Sequence, residues 1–287
     1  MRTYQLALVT ALACLGLLIA GGLVHATGSG MACGSDWPLC RGEAFPRLEG
    51  GVLFEHGHRL AALSVTVLTI VLAAVLWRRE RHLRWLGPIA VGLVIVQALL
   101  GMLTVRWNLP MAIKTVHLAV SMAFFCLLIL IGVRTLAPAT PTVSARLRRL
   151  LGVAALFVYL QILLGALVRH TGSGLACPDV PLCLGRLWPD WGPAQLQMIH
   201  RLAALVVAGV VAVASIGAAR ALAGPLRALA LAPLALLGAQ ITLGVLSVLS
   251  MLGIAIVTAH LATGALLLAN LLALYLALAP RVLEAAG

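Results

Sequence analysis

The sequence predicts an all-α integral membrane protein of eight transmembrane helices, arranged as two tandem four-helix bundles related by a pseudo-two-fold axis along the membrane normal. Three observations support this fold class. The 287-residue chain is 62% hydrophobic and only 10% charged, whereas soluble domains carry about 25% charged residues. It contains eight uncharged stretches long enough to cross a bilayer. Several short motifs also occur twice, about half a chain length apart.

The eight uncharged stretches lie roughly at 4–24, 60–77, 85–105, 115–133, 150–168, 202–219, 228–249 and 254–279. The last two divide one uncharged run, 228–280, which is too long for a single span. We expect the chain to reverse there near Ser250-Met251-Leu252-Gly253. Because lipid leaves only helices and closed barrels with satisfied backbone groups, continuous runs of this length predict helices.

The net charge of +12 comes almost entirely from arginine, since Lys114 is the single lysine. A basic chain can bind nucleic acid, but these arginines flank apolar runs and therefore indicate membrane topology, with no nucleic-acid partner. They cluster in the loops after spans 2, 4 and 6: Arg78, Arg79, Arg81 and Arg84; Arg134, Arg146, Arg148 and Arg149; Arg220 and Arg227. The positive-inside rule makes these loops and both termini cytoplasmic, so that the other loops are extracytoplasmic.

Two tandem units are indicated by the repeats. His-Arg-Leu-Ala-Ala occurs at 58–62 and 200–204, and Thr-Gly-Ser-Gly at 27–30 and 171–174. Spans 3 and 7 share a Gln and a Gly, at 97 and 101 and at 240 and 244. We therefore predict an N-terminal half at 1–137, a cytoplasmic linker at 138–147 that contains Pro138 and Pro141, and a C-terminal half at 148–287. With an even number of spans in each half, the two units are parallel.

Each half contributes two histidines near the outer side of the membrane. His58 and His200 open spans 2 and 6, His117 lies near the outer end of span 4, and His260 lies about two turns into span 8. Two imidazoles that face each other across a four-helix bundle suit axial ligation of a haem iron. A single intramembrane histidine could be a hydrogen-bonded core residue, but the pair occurs twice in register. Two ligands in each half do not complete a tetrahedral zinc site.

The halves differ three residues before the first histidine, where Glu55 precedes His58 and Gln197 precedes His200. If span 2 starts early, Glu55 and His58 share one helix face. A carboxylate at a low-dielectric boundary beside a haem could act as a base or stabilise positive charge. The alternative is an interfacial glutamate that pairs with Arg59. The asymmetry favours chemistry in the first half and electron transfer or structure in the second.

Two further features leave alternatives open. His56 has Met198 as its counterpart and could be an alternative ligand, although the repeat alignment favours His58. Arg59 and Arg201 follow the ligands and could bind haem propionates, or they could extend to lipid headgroups.

The outward loops contain a cysteine pair in each half. In oxidising space, Cys33–Cys40 and Cys177–Cys183 are expected to form disulfides within their loops. They could serve only to brace the loops, or the first pair could take part in redox or haem handling.

These motifs together resemble the haem A synthase family over nearly the whole chain: Glu55-x-x-His58-Arg59, His117, His200-Arg201, His260 and an outward cysteine pair in each half. The resemblance implies an oxidoreductase of haem A biosynthesis and cytochrome oxidase assembly, in a bacterial inner membrane. It would oxidise the C8 methyl group of haem O to a formyl group through hydroxylated intermediates. It also implies that His58 and His117 bind the substrate haem, that His200 and His260 bind haem B as cofactor, and that Glu55 is the catalytic carboxylate.

The partner implied by the family is the farnesyltransferase that makes haem O; a homo-oligomer is left open. The main alternative is a non-catalytic dihaem cytochrome with bis-histidine ligation, which gives no reason for an acid in one half only. A haem or small-molecule transporter is a third reading, but the spans lack signals of broken helices.

Overall fold

The computed structural model of the protein describes residues 1–136, 141 and 143–278. Over these residues the chain forms eight long α-helices: α1 (Thr3–Ala26), α2 (Gly50–Arg79), α3 (Leu86–Arg106), α4 (Met111–Leu136), α5 (Ala145–His170), α6 (Gly192–Ala221), α7 (Gly224–Leu249) and α8 (Ile254–Ala277). Each is long and apolar enough to cross a membrane. The predicted all-α fold with eight spans is therefore confirmed.

Helices α2 and α6 begin well before the uncharged stretches at 60–77 and 202–219. They start at Gly50 and Gly192, so that their first turns rise above the apolar span. The reversal expected at 250–253 is confirmed, because α7 ends at Leu249 and α8 begins at Ile254. Four residues of the predicted linker, 138–140 and 142, lie outside the described residues. Helix α5 begins at Ala145, inside the predicted linker, where the Ser144 hydroxyl caps it by accepting a hydrogen bond from the Leu147 N–H at 3.2 Å.

The helices pack in the same pattern twice. Helix α1 packs on α2 and α4, and α3 packs on α2 and α4; α5 to α8 repeat this arrangement. The two sets meet through α1, α4, α5 and α8, where the Tyr159 hydroxyl donates to the carbonyl of Ala119 at 3.0 Å. Each set has its own buried core, with Leu72 and Met122 in the first and Val211 and Leu268 in the second. Large apolar side chains cover the outer faces, as lipid contact requires.

The loops after α1, α3, α5 and α7 lie at one end of the bundle, which we call the loop end. The Thr-Gly-Ser-Gly runs form turns there, with Gly28 and Gly172 in the left-handed region at φ of 68° and 72°. The turns after α3 and α7 also correspond, and they pack onto these runs. Leu109 lies against Gly30 and Leu252 against Gly174, so closely that a side chain at either glycine would crowd the leucine. The loop end is thus a packed layer that covers the histidine-bearing turns of the helices.

Candidate functional site: two cradled histidine pairs

The four predicted histidines occupy equivalent depths in the two halves. His58 and His200 each lie eight residues after the first residue of their helix, and His117 and His260 each lie six residues after theirs. His58 and His200 therefore lie inside α2 and α6, not at their first residues as expected. In each half the two histidines are near enough to interact electrostatically, His58 with His117 and His200 with His260.

Each histidine ring packs against a glycine of the preceding helix. A Cβ atom at Gly165 would lie 3.0 Å from Cε1 of His200, and one at Gly21 would lie 3.1 Å from Cε1 of His58. Corresponding contacts join Gly244 to His260, at 3.1 Å, and Gly101 to His117, at 3.6 Å. The absent side chains leave room for the four imidazoles. Sequence reasoning noted the repeated glycines of spans 3 and 7 but missed Gly21 and Gly165, which the same repeat offset would have found.

The glutamines of α3 and α7 lie beside the second histidine of each half. The Gln97 side chain donates to the backbone carbonyl of His117 at 2.9 Å. In the second half, Nε2 of Gln240 lies 3.4 Å from Nε2 of His260. These glutamines position the α4 and α8 histidines from the neighbouring helix.

A third glutamine distinguishes the two halves. Nε2 of Gln161 lies 3.0 Å from Nδ1 of His200 and 2.9 Å from its backbone carbonyl. The corresponding residue of α1 is Leu17, which offers no polar side-chain group to His58. Nδ1 of His200 therefore has a side-chain hydrogen-bond partner, which Nδ1 of His58 lacks.

The histidine pairs fit a haem. Nδ1 atoms of His58, His117 and His260 are buried and have no hydrogen-bond partner, although buried polar atoms are normally paired. Imidazoles with unpartnered nitrogens, cradled by glycines between apolar helices, are suited to axial ligation of haem iron. His58 and His117 would hold one haem, and His200 and His260 the other.

Glu55 fixes the first cysteine loop to α2. Its Oε2 accepts a hydrogen bond from the Cys33 N–H at 2.7 Å, and its Oε1 pairs with the Arg59 guanidinium. Only 4% of the residue is exposed. Glu55 and His58 do share the early part of α2, as an early helix start requires. The ion pair with Arg59, considered as an alternative role, is present in the structure.

Gln197 fixes the second cysteine loop to α6 in the same way. Its Oε1 accepts from the Cys177 N–H at 2.6 Å, and its Nε2 donates to the Gly174 carbonyl at 2.9 Å. Like Glu55, it is 4% exposed. The position thus anchors a cysteine loop in both halves, and what differs between the halves is the charge.

Arg59 and Arg201 hold the cysteine loops through backbone carbonyls. Arg59 donates to the carbonyls of Asp36 and Leu39. Arg201 donates to those of Asp179 and Leu182 at 2.7 Å each, and also to that of Cys177. The structure therefore gives both guanidiniums loop partners, and their contact with propionates stays a prediction.

A disulfide closes each loop, Cys33 with Cys40 and Cys177 with Cys183. His56 belongs to the first loop: its Nε2 lies 3.1 Å from the Ala44 carbonyl, and its ring lies within 4.8 Å of both cysteine sulfurs. His56 on α2 is therefore directed toward the first loop, and its counterpart Met198 on α6 packs against the cysteines of the second loop.

The second loop is also braced by Asp179. Its carboxylate accepts hydrogen bonds from the backbone N–H groups of Leu184 and Gly185, at 2.7 and 3.1 Å. Because these bonds favour the ionised form, they lower the pKa of Asp179.

The fold and the site define a membrane helix bundle with one paired-histidine site in each of two repeated halves. Comparison with known proteins then gives the family. A family model described as cytochrome oxidase assembly protein (COX15-CtaA) matches residues 49–272, and the chain belongs to this family. The resemblance based on the motifs is thereby confirmed.

The similar proteins carry the name heme A synthase. The chain is 35% identical to that of Geobacillus thermodenitrificans over 222 residues, which cover 74% of this chain and 70% of the relative. It is 34% identical to that of Bacillus licheniformis over 75% of each chain. It is 35% identical to that of Bacillus cereus over 70% of this chain and 68% of the relative.

Proposed function

We propose that the protein is a haem A synthase, an oxidoreductase that converts the C8 methyl group of haem O to the formyl group of haem A through hydroxylated intermediates. The names of its relatives support this assignment. The observation that carries it is a difference in charge between two residues that are held by equivalent hydrogen bonds. A buried carboxylate, Glu55, stands beside one histidine pair, and an amide, Gln197, stands beside the other.

The two porphyrins have different roles in this proposal. His58 and His117 hold the substrate, haem O, and His200 and His260 hold haem B as a resident cofactor. Haem B, when bound, supplies a one-electron carrier beside the substrate site. The extra hydrogen bonds of Gln161 to His200 support a permanently occupied second site.

Glu55 acts at the methyl group as a fixed negative charge. Two donors, the Cys33 N–H and Arg59, hold the carboxylate in place, so it does not have to reorganise during the reaction. Each hydroxylation would add the oxygen of one water to the methyl carbon and release two protons and two electrons, which would pass one at a time to an external oxidant. The carboxylate stabilises positive charge on the methyl carbon as these electrons leave, or accepts one of the protons from the water that attacks this carbon.

The arginine-rich loops support a location in the bacterial inner membrane with both termini cytoplasmic. The cysteine loops and the histidine pairs then lie toward the extracytoplasmic side, where disulfides persist. The farnesyltransferase that makes haem O is the proposed supplier of substrate, since its product is too apolar to cross water freely.

The Glu55→Gln variant tests this proposal with a control built into the chain. Gln197 shows that an amide at this position can accept a hydrogen bond from the cysteine N–H and donate one to a glycine carbonyl. We therefore expect the loop to remain folded in the variant. Product formation should fall by about a hundredfold or more, the usual contribution of a general base, while both porphyrins stay bound. The reciprocal Gln197→Glu variant should keep its activity.

The measurement is chromatography with mass detection of haems extracted from protein made with haem O supplied. Wild type should yield haem B together with haem O, a hydroxylated haem or haem A. A Glu55→Gln protein that forms haem A at the wild-type rate would rule out the role of Glu55. Haem B alone in both sites of the wild type would instead identify an electron-transfer cytochrome.

A further inference from the structure

Four basic side chains meet at the loop end where the two halves touch. They are His25 in the last turn of α1, Lys114 in the first turn of α4, and Arg169 and His170 in the last turn of α5. The ring centroids of His25 and His170 are 5.1 Å apart. Arg169 precedes His170 on α5, and Lys114 precedes Thr115, whose hydroxyl lies 2.9 Å from Nδ1 of His170. We call these four residues the basic cluster.

The basic cluster is held in place but lacks an acidic partner. Arg169 donates to the Gly22 carbonyl at 3.0 Å, and Nδ1 of His170 lies 2.9 Å from the Thr115 hydroxyl. Nε2 of His25 is buried and has no hydrogen-bond partner. Ion pairs in the described part of the chain join Arg47 to Glu49, Glu55 to Arg59, and Arg186 to Asp190. An ammonium and a guanidinium thus lie beside two imidazoles without a neutralising carboxylate, an arrangement that favours an anion.

The basic cluster contacts both helices that flank the first histidine pair. Arg169 binds the carbonyl of Gly22 on α1, one residue after the glycine that cradles His58. His170 contacts Thr115 on α4, two residues before His117. Two residues of the second half thereby contact the helices that form the first histidine site.

The second histidine pair has no equivalent of this arrangement. Lys114 corresponds to Val257, at the same offset that relates the α4 and α8 histidines, and His170 corresponds to Ala26. Thr258, the counterpart of Thr115, has a buried hydroxyl without a hydrogen-bond partner. Lys114 and His170 therefore have no basic counterpart in the repeat.

We propose that the basic cluster binds the propionate carboxylates of the porphyrin held by His58 and His117, so that α5 of the second half completes the first site. Arg59 and Arg201 are less suited to this role because each already donates to several loop carbonyls, whereas Arg169 donates to one carbonyl. Carboxylates would supply the acceptors that the ammonium, the guanidinium and the imidazole N–H groups lack. The inference rests on the proposed function in requiring a porphyrin in the first half.

The test compares two probes, haem B and its dimethyl ester, which lacks the propionate charges. Both are titrated into the full-length wild-type chain and into a Lys114→Val/His170→Ala double variant, in lipid nanodiscs. Each substitution introduces the residue that the other half carries at the corresponding position, Val257 for Lys114 and Ala26 for His170. The control is Arg47→Gln, which removes a cation that is exposed and pairs with Glu49. A His117→Ala variant identifies the titration phase of the first site.

We expect wild type to bind haem B at the first site at least tenfold more tightly than the ester. The double variant should lose roughly tenfold in haem B affinity for each ionic contact removed and should bind the ester as wild type does. Binding at the second site serves as an internal measure of folding, and Lys114→Arg should keep most of the affinity. Equal affinity for both probes at a first site that does bind haem would overturn this inference alone. A wild type that binds haem only at the second site would overturn the proposed substrate site as well.

Discussion

Alanine at position 165 should weaken haem binding by the second half. Its Cβ would lie 3.0 Å from Cε1 of His200, so the ring would have to move by a few tenths of an ångström. The ring cannot move freely, because Gln161 contacts both its Nδ1 and its backbone carbonyl. Overpacking that costs about 1–3 kcal/mol in the haem-bound state corresponds to a site that is roughly five- to 150-fold weaker. The better helix propensity of alanine stabilises the helix with or without haem and does not change this affinity.

The assay is the rate at which the purified protein loses haem to an excess of apomyoglobin. Gly209→Ala is the matched control, because it changes the same residue type in a helix of the same half where nothing lies within 4 Å of the added Cβ. Gly101→Ala provides a comparison in the first half, since its Cβ would make ordinary contact with His117 at 3.6 Å. If Gly165→Ala loses haem no faster than Gly209→Ala, the cradle has no role in holding the ligand.

Three further predictions follow from side-chain contacts. His56→Met should leave the haem content unchanged by pyridine haemochrome assay, because His56 contacts the cysteine loop and Met198 fills the equivalent place; loss of one haem would instead identify His56 as a ligand. Gln161→Leu should weaken haem binding about tenfold or more, because it removes an orienting contact from His200, and an unchanged rate of haem loss would contradict this. Asp179 has a lowered pKa in the folded loop, so its contribution is present above the unfolded pKa and is lost as the pH falls through the lower folded value. The protection of this loop against hydrogen exchange, taken relative to the intrinsic exchange rate at each pH, should therefore fall in acid in wild type, whereas an Asp179→Asn loop should be less protected already at neutral pH.

The apolar pattern was sufficient to predict the eight spans and the reversal at 250–253, because each span must satisfy its backbone within lipid. It placed the starts of α2 and α6 about ten residues too late. Charged residues interrupt the apolar pattern there, yet the helix continues, since Glu55 and Arg59 are satisfied by loop backbone groups. These groups lie about twenty residues away in sequence, and no local pattern reveals such a contact.

The repeat predicted which residues correspond, but not what each one touches. The comparison of Glu55 with Gln197 identified a difference in charge, and only the structure shows that both residues hold a cysteine N–H. His25 and His170 did not stand out, because basic residues at span ends are expected for topological reasons. Their meeting depends on how α1 and α5 approach each other across the two halves.

The hydrogen bond that Glu55 and Gln197 both accept from a cysteine N–H helps to explain why position 55 carries an acid. Anchoring the loop does not require one, because Gln197 makes the corresponding bond to Cys177 with an amide. A buried carboxylate has a desolvation cost of several kcal/mol, which the Arg59 partner offsets only in part. An amide would therefore be the less costly solution if loop anchoring were the whole role of this residue. The charge at Glu55 is better explained by a reaction that develops positive charge or releases a proton beside the first histidine pair. Glu55→Gln removes this charge and keeps the hydrogen bond that anchors the loop, so it tests the catalytic role by itself.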